Sequence, residues 1–263
     1  MKRTPVYLIL LLLLFAFAMP ADAQKKKSKT QNTPAKANEG NIIEDTFADV
    51  QFRSIGPAFM GGRIADIAIH PDNENVWYVA VGSGGIWKTE NAGTTWKPLF
   101  DEQPVYSTGC ITIDPNNPHI IWVGTGENVG GRHVGFGDGI YKSEDDGNTW
   151  TNMGLGESQH VSKIIVHPDN SDVVWAAVQG PLWNSGGERG FYKTADGGKS
   201  WKKTLGGNEW TGVTELVIDP RNPDVLYAAT WQRHRTVAAY MGGGPDTGLY
   251  RSFDGGDTSM LLS

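Results

Sequence analysis

Cysteine is all but missing from this chain: Cys110 stands alone in 263 residues. No intrachain disulfide is possible, so the fold must rest on buried apolar surface and hydrogen bonds. Cys110 falls in a segment read as an inner strand and is expected to be a buried free thiol. A sustained helical period is missing as well, which argues against helical folds. The one long apolar run, Tyr7 to Ala18, is shorter than the about 20 residues that a membrane span needs. Excess positive charge is also missing. The 23 Lys and Arg residues face 29 Asp and Glu residues, for a net charge of −6. Nucleic-acid affinity depends on Lys and Arg neutralising phosphates, so a nucleic-acid partner is not expected. Nothing in the sequence calls for a metal or any other cofactor.

The first 23 residues carry the marks of a secretory signal. Lys2 and Arg3 make a basic start, Tyr7 to Ala18 is apolar, and Ala21-Asp-Ala23 is a small-x-small site with cleavage expected after Ala23. A secreted or periplasmic location follows. No cysteine follows the cleavage site, so no lipid anchor is expected there. Residues 24–42 are polar and lysine-rich and read as a disordered linker. Residues 43–263 form the folded part.

What is abundant is repetition. An eight-residue phrase occurs four times: Thr89-Glu-Asn-Ala-Gly-Thr-Thr-Trp96, Ser143-Glu-Asp-Asp-Gly-Asn-Thr-Trp150, Thr194-Ala-Asp-Gly-Gly-Lys-Ser-Trp201 and Ser252-Phe-Asp-Gly-Gly-Asp-Thr-Ser259. The spacing, roughly 50 to 60 residues, marks a repeat architecture. A Pro-containing turn precedes each phrase, at Ile69-His-Pro-Asp-Asn73, Ile113-Asp-Pro-Asn-Asn117, Val166-His-Pro-Asp-Asn170 and Ile218-Asp-Pro-Arg-Asn222. Each turn lies between two β-branched and aromatic runs, such as Ile64 to Ile69 and Val76 to Val81, which read as paired antiparallel strands. A third strand leads into each box (Ile86 to Thr89, Ile140 to Ser143, Phe191 to Thr194, Leu249 to Ser252), and a fourth leaves from the Trp. The predicted class is therefore all-β, with four-stranded antiparallel units. Their strands are apolar almost throughout, which implies cover on both faces. Radial stacking into a β-propeller meets that need.

The box resembles the Asp-box, or BNR repeat, of sialidases, sortilin-type receptors and xyloglucan-cleaving hydrolases. The sequence looks most like bacterial secreted proteins related to the sortilin (VPS10) amino-terminal propeller. The resemblance spans about residues 55 to 263. It implies that the box is a structural turn rather than a catalytic motif. Asn91, Trp96, Asp145, Trp150, Asp196, Trp201 and Asp254 are thus assigned to structure. The fourth box has Ser259 in place of Trp, and only Met-Leu-Leu-Ser follows. About four blades are expected, the last lacking a proper outer strand, in an incomplete piece of a longer propeller. Sortilin-type domains have ten blades.

Strand parity puts the Pro turns and the boxes on one side of the blades. The loops joining second to third strands fall on the other side, and they grow from Gly82–Gly85 to Gly126–Gly139, Gln179–Gly190 and Trp231–Thr247. Loops on a rigid scaffold commonly carry binding groups. Arg132, His133, Trp183, Arg189, Arg233, His234, Arg235 and Tyr240 are the candidate ligand-binding face. Arg can grip carboxylates, and aromatic rings can stack on sugars or anchor peptides. The favoured function is a non-catalytic module that binds an extracellular or periplasmic protein, peptide or glycan.

The alternative is a glycoside hydrolase, which needs two flanking carboxylates. Glu127 and Asp138 are the weak candidates, with Glu188 and Asp246 placed only by location. The resemblance to xyloglucan-cleaving enzymes implies a catalytic Asp where this chain has Gly82, within Val81-Gly-Ser-Gly-Gly-Ile-Trp87. The Arg-Ile-Pro signature of sialidases is echoed only loosely by Arg53-Ser-Ile-Gly-Pro57. Some BNR propellers help to assemble membrane complexes, but no residue here selects that role.

Overall fold

The computed structural model describes residues 62–262. The signal and linker expectations for residues 1–42 lie outside the described residues. Sheet 1 contains β1 (Ile64–Ile69), β2 (Trp77–Val81), β3 (Gly85–Thr89) and β4 (Lys97–Pro98). Sheet 2 contains β5 (Thr108–Ile113), β6 (Ile121–Thr125), β7 (Ile140–Ser143) and β8 (Thr151–Asn152). Sheet 3 contains β9 (Val161–His167), β10 (Asn170–Val178), β11 (Gly190–Thr194) and β12 (Lys202–Leu205). Sheet 4 contains β13 (Thr211–Asp219), β14 (Asn222–Arg235), β16 (Gly248–Ser252) and β17 (Met260–Leu261), with β15 (Tyr240–Gly242) paired to the end of β14. Within each sheet every strand pairs antiparallel with its neighbour in sequence, except that β16 pairs β14 across the β15 excursion. The predicted strands are all present, and the outer ones begin one residue after the Trp.

The fourth sheet corrects one expectation. Ser259 does not cost it an outer strand, because β17 pairs with β16 through Tyr250–Leu261 and Arg251–Met260. β17 has two residues, as do β4 and β8. The box turn forms without its Trp because polar atoms close it. Ser252 Oγ donates to Asp254 Oδ1 at 2.7 Å and accepts from Gly256 N at 2.9 Å. Asp254 in turn accepts from Thr258 N (2.9 Å) and Thr258 Oγ1 (2.6 Å). The same set recurs around Asp145 and Asp196. In the first box Asn91 takes the place of the carboxylate and accepts from Thr95 N at 2.8 Å.

These bonds leave a signature on the acids. The Thr149 and Ser200 hydroxyls, with backbone amides behind them, hold Asp145 low and Asp196 at about 2. Each box also grips the Pro turn beside it, since Ala92 N, Asp146 N, Gly197 N and Gly255 N donate to Asn75 O, His119 O, Asp172 O and Asp224 O. Boxes and Pro turns therefore share one side, as strand parity required. The second turn residue is always Gly, for two reasons. Gly198 has φ +92, and a Cβ there would stand 2.7 Å from the Trp122 ring.

Inner strands β1, β5, β9 and β13 pack side by side in that order. The core lies in the three seams between consecutive sheets rather than in one centre. Tyr78, Ile86 and Phe100 of sheet 1 meet Ile111, Val123 and Tyr141 of sheet 2. Trp122 and Ile140 meet Ile164, Val174 and Ala176 in the next seam. Trp175 and Phe191 meet Val213, Leu216 and Leu226 in the last. Cys110 is 1 % exposed and free, and burial pushes its thiol up to about 12.

Two box tryptophans cross a seam. Trp150 Nε1 donates to Leu99 O, and Trp201 Nε1 to Met153 O, each at 2.8 Å and each in the sheet before. Among the described residues Trp96 has no such partner and turns back to Gly93 O at 3.0 Å. Trp201→Phe, which keeps a ring but loses the N–H, is expected to cost about 1 kcal/mol in urea denaturation. Trp96→Phe should stay within about 0.5 kcal/mol of the parent chain in the same measurement.

Candidate functional site

The long loops of sheets 2, 3 and 4 meet on the side away from the boxes. Arg233 and Arg235 lie at the end of β14, a strand long enough to project beyond its sheet. Arg233 Nη1 reaches Val129 O in the sheet-2 loop at 3.4 Å, and Nη2 reaches Gly180 O in the sheet-3 loop at 3.2 Å. Arg235 Nη2 donates to Gly130 O at 2.8 Å and lies over the Tyr240 ring at 4.4 Å. Gln179 Nε2 donates to Asn128 O at 3.2 Å. Three loops are thus tied together by side chains that cap backbone carbonyls.

Burial divides the predicted binding residues. Arg189 and Arg233 are 1 % and 0 % exposed. Arg189 spends its guanidinium within its own loop, on Gly186 O (2.7 Å), Pro181 O (3.0 Å) and Asn184 O (3.0 Å). These two are therefore internal struts and not, as expected, an exposed ligand face. A guanidinium can be buried this way because carbonyl oxygens replace its water. Desolvation still holds each of them down to about 10. The others stand further out. Arg132 and His133 are exposed, and Trp183, His234 and Arg235 are half-buried. Tyr240 is 40 % exposed and meets Trp231 edge to face at 6.3 Å. His234 lies 4.1 Å from the Trp210 ring. Burial raises the Tyr240 phenol above its usual range, against the lowering pull of Arg233 and Arg235.

Each candidate carboxylate is tied to a protein partner. Glu127 is buried between sheets 1 and 2, paired with Arg63 and accepting from Ser83 Oγ. Its backbone N–H donates to Ser107 Oγ at 3.1 Å, and Ser107 Oγ donates to Gly82 O at 2.9 Å. Glu127 lies against Gly82, where an added Cβ would stand 3.2 Å from its Cγ. One acid thus occupies space beside the position where the resemblance implied another. Asp138 accepts from Tyr141 Oη at 2.8 Å, and burial with this bond helps push that phenol up to about 12. Glu188 accepts from Glu157 N at 3.0 Å, and Asp246 pairs with Asn208. Among the described residues no cluster of His, Cys, Asp or Glu is arranged to hold a metal ion. No helix among them is long and apolar enough to cross a membrane.

The sequence reading missed His160, which is fully buried where the three loops converge. Neither ring nitrogen has a hydrogen-bond partner among the described residues. Desolvation, then the charges of Arg233 and Arg189, push its pKa down to about 3. Its place just before inner strand β9, in the connection entering sheet 3, was the available signal.

Solved structures share the fold of these sheets. The GH74 xyloglucanase of Xanthomonas campestris aligns with a TM-score of 0.56 at 20% identity, covering 75% of this chain and 29% of that one. An ancestral GH74 enzyme aligns at 0.59 and 21%, covering 77% and 24%. The four sheets are blades of a β-propeller. The Sortilin-Vps10 family model (sortilin, neurotensin receptor 3) matches residues 138–263, from the loop of blade 2 through blade 4. An oligoxyloglucan-reducing end-specific xyloglucanase of Emericella nidulans is 22% identical over 215 residues, 75% of this chain and 24% of the relative. A xyloglucanase of Hypocrea jecorina is 25% identical over 239 residues, 81% and 27%. The chain spans about a quarter of the length of the curated relatives it matches. These likenesses settle the blade architecture and leave the chemistry to the residues.

His160 generates a pH prediction. Its folded pKa, about 3, lies below the unfolded value near 6.5, so folding favours the neutral ring. Stability is then full above pH 6.5 and falls as pH drops toward 3. The expected slope contribution is up to about 1.4 kcal/mol per pH unit in that window. His160→Gln should flatten the dependence of the urea midpoint between pH 6.5 and 5. An unchanged slope would show that the histidine is solvated.

Proposed function

We propose that this chain is a secreted propeller segment that binds an extracellular glycan through its long-loop face without cleaving it. One contrast supports this reading. The four carboxylates first considered for catalysis all have protein partners, whereas Tyr240, beside Arg235, keeps 40 % of its surface open. Exposed aromatic rings suit the apolar faces of sugars, and neighbouring Arg side chains suit their hydroxyls. The xyloglucanases among the relatives favour a glycan as the ligand class. A peptide ligand, suggested by the sortilin match, is an alternative outcome of the binding test.

A second reading is a glycoside hydrolase, favoured by the proximity of Glu127 to Gly82. On that reading Glu127 supplies the carboxylate that position 82 lacks. Against it, Glu127 is already tied to Arg63 and Ser83.

Calorimetric titration with xyloglucan oligosaccharides, beside an assay for reducing-sugar release, separates the readings. The chain is expected to bind and to release no sugar. Tyr240→Ala and Trp183→Ala should each weaken binding, by about tenfold for a loss near 1.4 kcal/mol. Sugar release that Glu127→Gln abolishes would establish the hydrolase. Binding only to unstructured peptides would move the ligand class to protein.

A further inference from the structure

Beneath the open loops, three basic residues meet on one short stretch of backbone, Gln179-Gly180-Pro181. Gln179 N donates to His160 O at 2.9 Å. Arg233 Nη2 donates to Gly180 O at 3.2 Å, and Arg189 Nη2 donates to Pro181 O at 3.0 Å. Arg189 also lies against Gly180, where an added Cβ would stand 2.7 Å from its Nε. His160 N donates to Ser158 O at 2.6 Å, which draws a hydroxyl residue into the same group. Ser158, His160, Arg189 and Arg233 are all buried, and the described residues themselves enclose them.

Carbonyl oxygens take up only part of this donor set. Among the described residues, Arg233 Nε, Arg189 Nη1, Ser158 Oγ and both ring nitrogens of His160 have no hydrogen-bond partner. Gln179 Oε1 is unpartnered too, but donor hydrogens outnumber acceptors in the group. A buried donor left unmet costs free energy, and a buried charge left unpaired costs more.

Charge is unbalanced in the same place. The hydrogen bonds of Arg189 and Arg233 run to backbone carbonyls, and neither guanidinium meets a carboxylate among the described residues. Carbonyl dipoles solvate a guanidinium without neutralising it. The field of both cations reaches the His160 ring, since after desolvation they are what pushes its pKa down. Glu209, which is exposed, pulls the other way on Arg189 and is outweighed by burial. A chain of net charge −6 thus encloses a small positive interior.

We propose that the junction of blades 2, 3 and 4 binds a small inorganic anion of the halide class, held by Arg233 Nε, Arg189 Nη1, the Ser158 hydroxyl and one ring N–H of His160. A halide accepts several N–H and O–H bonds at once and supplies the charge that carbonyl oxygens lack. Water would meet the bonds and leave the charge. Enclosure of the four side chains restricts the ligand to a small ion. The site braces the long loops from within, and it does not depend on what their open face binds.

Urea denaturation of the full chain at constant ionic strength tests the proposal, with sodium gluconate replaced stepwise by sodium chloride. The midpoint should rise with chloride and saturate, because a ligand held only by the folded chain stabilises it. Arg233→Gln should weaken the apparent chloride affinity by about tenfold or more. Lys199→Gln, at an exposed position on the box side, should leave it unchanged. Anomalous diffraction from bromide-soaked crystals of the unmodified chain keeps the test open should Arg233→Gln fail to fold. It should place a bromide in contact with Arg233 and Arg189. The proposal is overturned if chloride has no saturable effect, or if Arg233→Gln folds and responds as the parent chain does. It is equally overturned if bromide binds only on the surface and a water occupies the junction.

Discussion

Everything in this structure depends on one constraint: a four-stranded sheet that is apolar on both faces must be covered on both. A single blade cannot meet it, so each blade is stable only against a neighbour. The seams answer with aromatic wedges, Trp122 and Trp175 above all, both fully buried. The box places the edge of the next blade against these rings, and its glycine leaves room for them. Gly198 against Trp122 and Gly256 against Phe191 make this packing visible, since a Cβ at either would stand 2.7 Å from the ring. Covalent cross-links are then unnecessary, and the lone Cys110 serves as a small apolar side chain inside the second seam.

The opposite side of the blades is tied by polar contacts. Arginine side chains from blade 4 cap carbonyl groups of blades 2 and 3, and Gln179 of blade 3 caps Asn128. Buried donors that find carbonyl acceptors hold long loops still, and still loops are what a binding surface requires. The consequence for function is a division of labour among basic residues. Arg189 and Arg233 brace the face from within, while Arg132, Arg235 and Tyr240 meet solvent. The acids follow the same economy, each tied to a protein partner.

Much of the fold was legible because its signals are local and repeated. A box Gly, a Pro turn and an apolar strand mean the same thing in all four repeats, so each copy supported the others. The fourth outer strand was not legible because Ser259 replaces Trp and only four residues follow, whereas a two-residue strand is enough to pair with β16. The Ser252–Asp254–Thr258 bonds close the fourth box turn without a Trp. The site was less legible. Arg189 and Arg233 look like surface ligands in a list of loop residues, and only the approach of Gly180, Pro181 and Val129 shows them buried. His160 lies in the connection between blades 2 and 3, which returns to the side of the long loops, and no motif marks it in the sequence.

The central claim is that stability resides in the seams between blades. Hydrogen exchange followed by mass spectrometry tests it most directly. Blades 2 and 3 are covered on both faces, so the amides of β5 to β11 should exchange slowest. Those of β1 to β3 and of β14 and β16, in blades that the described residues cover on one face, should exchange faster. One uniform rate across all four blades, or end blades as slow as the middle pair, would contradict it.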